Sequence, residues 1–295
     1  MFVIQSMTGV ERKRSTKART REIPEEECGV DIYIRKWPAD SPKALVAFVH
    51  GAAEHSGRYE RTAQRFNQEH LYVLACDLPG HGRSPGRRGH IHSFEDYLQA
   101  VDTLVEEMEH VDETLPRFIL GHSMGGLIAI RYAQTRRPDV NGVIVSSPLL
   151  SLSLPVSPLA AKLAKVMSRI WPTFSQSNRI APQNVSRSAD VVAAYAFDAL
   201  LVRKVSARWF TEIGQAMDDA AKAPRLNVPC LILQAGSDLL VNPQATRAFA
   251  KVNEGGANRF VEYPNLYHEL LNEPEQEQVV QEVLNWLSER LNANA

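Results

Sequence analysis

The chain has little cysteine: Cys28, Cys76 and Cys230 are the only three. An odd count, with Cys76 and Cys230 inside apolar runs, points to buried free thiols in a reducing compartment rather than a disulfide framework. No apolar run approaches the roughly 20 residues that a bilayer-spanning helix needs. The opening MFVIQSM has no basic flank and too short an apolar core for a secretory signal, so the expected location is cytoplasmic. Net charge is also nearly absent, at −1, which argues against a nucleic-acid partner. Internal repeats and low-complexity tracts are missing. So are G-x-G-x-x-G and the G-K-[ST] of a phosphate cradle, and no cofactor is expected. His81, His90 and His92 have no cysteine or carboxylate at ligand spacing, so no metal is expected either.

The small net charge conceals an uneven distribution. Residues 1–21 carry six basic side chains and one acidic, and residues 150–225 carry ten basic and five acidic. The rest of the chain is acidic, so an anionic surface would meet those two stretches first. Residues 1–21 lack periodicity and read as a disordered basic arm, either a solvated tail or a polyanion anchor.

Beyond the arm, short apolar runs alternate with helical patterns. A pair of edge strands joined by a turn is expected over Glu22 to Trp37. Buried strands are expected at 44–50 (ALVAFVH), 71–77, 118–120, 142–148, 228–234 and 259–264. Helices are expected at about 58–69, 94–111 and after Ser123. A closing amphipathic helix should bury Val279, Val280, Val283, Leu284 and Leu287. This rhythm means an α/β fold with a mostly parallel sheet covered on both faces. About eighty residues separate the strands at 142–148 and 228–234, more than a crossover requires. The division is therefore an arm at 1–21, a core formed by 22–150 and 223–295, and an inserted helical cap at 151–222.

RFILGHSMGG, residues 117–126, is strand, tight turn and helix with G-x-S-x-G at the corner, the setting of a nucleophile elbow. Glycines are needed because the turn forces the serine into a strained conformation that crowds its neighbours. A serine hydroxyl needs a base, and the base needs a third group to fix its tautomer. In this architecture the acid and then the histidine follow the serine. Eight of the nine histidines precede Ser123, leaving His268. Asp238 is the last aspartate and sits just past the strand LILQAG, where the acid belongs. Ser123, Asp238 and His268 are the expected triad. The oxyanion donors should be the N–H of Met124 and one from the loop after residues 44–50, where Ala52 is better placed than Ala53.

With HGAAEHSGRY at 50–59, DLPGHGRS at 77–84, GHSMGG at 121–126, GSDLLV at 236–241 and YHELLNE at 267–273, the chain resembles the α/β-hydrolase superfamily. More narrowly, it is similar to the monoacylglycerol lipase and lysophospholipase group. The likeness runs from about 45 to 290 and is weakest in the cap. It implies the same triad, with Ala52 and Met124 as the oxyanion hole, and brings Glu54 and Arg58 near the polar head of a substrate. Ala53 departs from the pattern, which has glycine there. A glycine required for positive φ would make alanine change the loop path.

The resemblance implies a serine carboxylester hydrolase acting on single-chain lipid esters, monoacylglycerols first. The alternatives are a lysophospholipase, a general short-chain carboxylesterase or, from another class, a ligand-binding protein without turnover. An aminopeptidase fits less well, because the cap has no acidic cluster for a substrate amine. Within the cap, Leu159, Leu163, Val166, Met167 and Ile170 share one helical face, and Lys162, Lys165 and Arg169 take another. That pattern suits either a helix lying in an anionic lipid interface or one packing on the body.

Overall fold

The computed structural model describes residues 30–136, 139–154 and 156–293. The basic arm at 1–21 and Cys28 lie outside the described residues.

Seven strands form one sheet. In chain order the first five are β1 (Ile34–Trp37), β2 (Ala44–Val49), β3 (Leu71–Cys76), β4 (Arg117–His122) and β5 (Gly142–Ser146). A short antiparallel pair, β6 (Ser175–Ser177) and β7 (Lys204–Ser206), stands apart, and β8 (Cys230–Ala235) and β9 (Arg259–Tyr263) complete the sheet. Its order is β1-β3-β2-β4-β5-β8-β9, parallel throughout except for β1, which runs antiparallel to β3. Of the expected hairpin over Glu22 to Trp37, the described part holds the single edge strand β1; residues 22–29 lie outside the described residues.

Every residue of β2 is buried, and its period of two divides two cores. Leu45, Ala47 and Val49 face a core shared with α2 (Glu95–Val111), α3 (Met124–Thr135) and α7 (Pro243–Val252). Ala44, Val46 and Phe48 face a core shared with α1 (Glu60–Asn67) and α8 (Gln276–Ala293). The expected face of α8 is buried there, with Trp286 edge-on to Phe118. Both faces of the sheet are therefore covered, as its near-continuous apolar strands require.

Between β5 and β8 lie α4 (Pro158–Ile170), α5 (Ala189–Phe197) and α6 (Ala207–Lys222), with the β6–β7 pair. This stretch is not uniform. Trp209, Ile213, Ala216 and Ala220 of α6 recur at helical spacing and enter the core of the α2/α3 face, and Trp209 Nε1 donates to the Tyr97 hydroxyl at 2.9 Å. By contrast, α4 turns Leu159, Leu163, Val166 and Ile170 to the outside, with Leu159 78% and Ile170 73% exposed. The sequence left open whether this face packs on the body; it does not.

Candidate active site

The parallel strands deliver their following loops to one edge of the sheet, where an open α/β fold places its ligands. At the end of β4 the chain turns through Ser123, whose φ of 52° and ψ of −115° are rarely adopted outside glycine. Main-chain bonds hold the strain. The Ser123 N–H donates to the Ser146 carbonyl at 2.9 Å, and the Ser123 carbonyl accepts from Leu127 and Leu149. The turn is tight enough that a Cβ on Gly121 would lie 2.2 Å from the Gly125 carbonyl oxygen, so glycine is obligatory there.

Past β8, Asp238 is fixed by two N–H donors, Leu240 at 2.8 Å and Val241 at 3.0 Å, both to Oδ1. Oδ2 is thereby left for His268, whose Nδ1 lies 2.7 Å away. Burial opposes charge on both partners. On Asp238, the facing imidazole and the two N–H donors prevail and hold its carboxyl below the usual range. On His268, burial is outweighed by Asp238, with Glu269 and Glu54 adding to it, and its pKa stands above the ordinary value. The His122 ring lies 4.7 Å from that of His268. Burial and this neighbour push its pKa down to about 4, so it packs there as a neutral ring donating from Nδ1 to the Ser146 carbonyl at 3.1 Å.

The loop after β2 passes close to the serine. A Cβ on Gly51 would meet Ser123 Cβ at 3.1 Å and Glu54 Oε1 at 2.8 Å. His50 fixes the loop, with Nδ1 donating to the Gly51 carbonyl and Nε2 accepting from the Leu78 N–H. Among the described residues, the N–H groups of Ala52 and Met124 have no hydrogen-bond acceptor within the chain. Ala53 adopts φ 67°, so alanine occupies the left-handed conformation at this position.

Glu54 and Arg58 are buried and engaged within the protein. Glu54 accepts from the Gly51 N–H at 2.5 Å and the Tyr59 hydroxyl at 2.9 Å, and pairs with Arg58. Arg58 in turn donates to Glu269 at 2.6 Å beneath the Tyr195 ring. Sequence reasoning missed Glu269, Tyr195 and Asp198, which pairs with His55 at 2.9 Å. Their partners lie more than a hundred residues away, and no local pattern signals such pairs.

Fold, elbow and the arrangement of strand ends define a serine hydrolase of the α/β-hydrolase class. Residues 40–275 match the family described as serine aminopeptidase, S33, and the chain belongs to that family. It is 37% identical over 246 residues to the phospholipase YtpA of Bacillus subtilis, covering 82% of this chain and 94% of that one. It is 35% identical over 268 residues to a monoacylglycerol lipase of Mycolicibacterium smegmatis, covering 89% and 95%. Among solved structures, a monoacylglycerol lipase of Paleococcus ferrophilus superimposes with a TM-score of 0.81 at 34% identity, covering 88% of this chain and all of that one.

Proposed function

We propose that the protein hydrolyses single-chain lipid esters, monoacylglycerols first, through an acyl-enzyme on Ser123. Near-full-length similarity to proteins named monoacylglycerol lipase carries the substrate class. In this reading Ser123 attacks the ester carbonyl while His268 takes its proton. Asp238 holds the imidazole in the tautomer with Nδ1 protonated, and the N–H groups of Ala52 and Met124 receive the oxyanion. His268 then protonates the departing alcohol, and water resolves the acyl-enzyme by the same route. Within residues 151–222, the part before α6 serves as a cap over the site while α6 joins the core of the body, with Glu54 and Arg58 shaping the polar end of the site.

A lysophospholipase is the second reading, favoured by the Bacillus subtilis relative and the basic residues of α4. Peptide substrates, despite the family's description, are less well supported. Glu54 and Glu269 are paired with Arg58, and Asp198 with His55, so these carboxylates are already committed. The deciding measurement is fatty acid release from monooleoylglycerol against oleoyl lysophospholipid, with Ser123→Ala as control. Faster monooleoylglycerol turnover that disappears in the variant is expected. Preference for the lysophospholipid would change the substrate, and activity surviving in the variant would overturn the mechanism.

The exposed apolar face of α4, flanked by exposed Lys162, Lys165 and Arg169, supports seating of the cap on an anionic membrane. Among the described residues no helix is long and apolar enough to cross one. Each basic side chain near an anionic surface contributes about 1 kcal/mol. Reversing all three should therefore lower liposome partitioning by well over tenfold in flotation, and a further comparison without residues 1–21 measures the arm. Equal flotation of all forms would exclude this seating.

A further inference from the structure

One buried carboxylate outside the proposed triad is bound on every side. Glu273 is fully buried in the loop that follows His268. Its Oε2 accepts from the N–H of Tyr267, the residue immediately before His268, at 2.9 Å, and from Arg187 Nε at 2.7 Å. Its Oε1 accepts from the Arg187 N–H at 2.6 Å and the Ser186 hydroxyl at 2.8 Å. Burial disfavours its charge, but these donors prevail and hold the carboxyl below its usual range.

Ser186 and Arg187 begin a segment that continues through α5 to Val202. That segment touches both loops that flank the serine. On the histidine side, the Val185 carbonyl accepts from the N–H of Glu269, the residue just after His268, at 2.8 Å. On the other side, Asp198 pairs with His55, and the Val202 N–H donates to the carbonyl of Ala53 at 3.2 Å. The residues on either side of His268 are thus each held in a contact to residues 185–187 or to Glu273. The same strap ends on the loop that carries the Ala52 N–H.

We propose that Glu273 is a positioning residue: it anchors residues 185–202 as a strap that fixes the His268 loop relative to the loop bearing Ala52. This rests on the Ser123–His268–Asp238 reading. A carboxylate is required because three of the four contacts come from N–H groups, which can only donate, and both oxygens receive at least one of them. Whichever way its amide turned, glutamine would set its NH₂ against an N–H, that of Arg187 at one position or those of Tyr267 and Arg187 Nε at the other, loosening either the strap or Tyr267.

The test compares wild type, Glu273→Gln, Glu273→Asp, Arg187→Gln and Ser123→Ala on a soluble short-chain ester. Assembled sites are counted by the final stoichiometry of labelling with a fluorophosphonate. Misplacing a reacting group by about 1 Å costs on the order of 100-fold. Glu273→Gln is therefore expected to lower kcat per labelled site by about 10- to 100-fold with KM little changed. The acidic limb of its pH profile should fall toward the ordinary histidine range as the Asp238–His268 contact loosens. Glu273→Asp should recover part of the loss. Arg187→Gln removes the guanidinium donor and keeps the Arg187 N–H contact to Oε1, so it should show a smaller loss in the same direction. Unchanged turnover per labelled site and an unmoved acidic limb in both, whatever happens to Tm, would overturn the positioning role and leave serine hydrolysis standing. Turnover surviving in Ser123→Ala would overturn both.

Discussion

Asp238→Asn is expected to lower kcat about 10⁴-fold while leaving the fold intact, because it selects the wrong tautomer of His268. The environment of Asp238 decides which way an asparagine would turn. The Oδ1 position receives two N–H donors from Leu240 and Val241. An amide nitrogen there would face two donors, so the side-chain oxygen must occupy that position. The NH₂ then points at His268 Nδ1, 2.7 Å away in the native protein. The imidazole can answer only by accepting at Nδ1, which places its proton on Nε2, where a base must be unprotonated. The pH profile supplies a second readout. With its pKa raised by Asp238, His268 becomes a neutral base only above the ordinary value of about 6.5. The wild-type acidic limb of kcat/KM should therefore lie above that pH, and the residual activity of the variant should show a limb displaced downward. A loss of less than tenfold, measured on protein with native Tm, would remove Asp238 from the mechanism.

The candidate site was legible to the extent that its parts obey local rules. Strands such as ALVAFV are apolar throughout because both faces are covered, and the elbow declares itself through glycines that backbone contact requires. His268 is found by elimination, being the only histidine after Ser123. Local rules would also have found α7, which the reading omitted: Asn242 caps it by accepting from the Gln244 N–H, and Pro243 opens its first turn. The rest lies in tertiary pairings. Nothing in the sequence around Arg58 reveals that Glu269 and Tyr195 will enclose it. The periodicity of α6 shows that Trp209, Ile213, Ala216 and Ala220 share a face, but not that this face joins the core of the body. For α4 the same kind of pattern turns outward. Amphipathicity names the apolar face and leaves its partner unspecified.

Gly125→Ala should be the most damaging single-methyl change at the elbow, although it replaces glycine by a better helix former. Gly125 lies in the first turn of α3, where alanine would normally gain up to about 1 kcal/mol. Here the new Cβ would stand 2.0 Å from the Val49 carbonyl oxygen and 2.6 Å from that of His50. Both obstacles are backbone, so no side-chain rotation relieves the contact and α3 must move away from β2. Overpacking of a core costs about 1–3 kcal/mol even where side chains can adjust. A net loss of at least about 3 kcal/mol is expected, seen as a fall in Tm of roughly 6 °C or more for a chain of this size. Activity should fall further than stability. The displacement falls between Met124 and the loop carrying Ala52, the two N–H donors proposed for the oxyanion, and losing one such donor costs about 3 kcal/mol of transition-state stabilisation. Gly214→Ala supplies the contrast. Gly214 lies inside α6 with nothing within 4 Å of its would-be Cβ, so the same substitution should raise stability by about 0.5–1 kcal/mol and leave turnover unchanged. Similar Tm changes in the two variants would mean that the close passage of β2 over the elbow does not dictate glycine at 125.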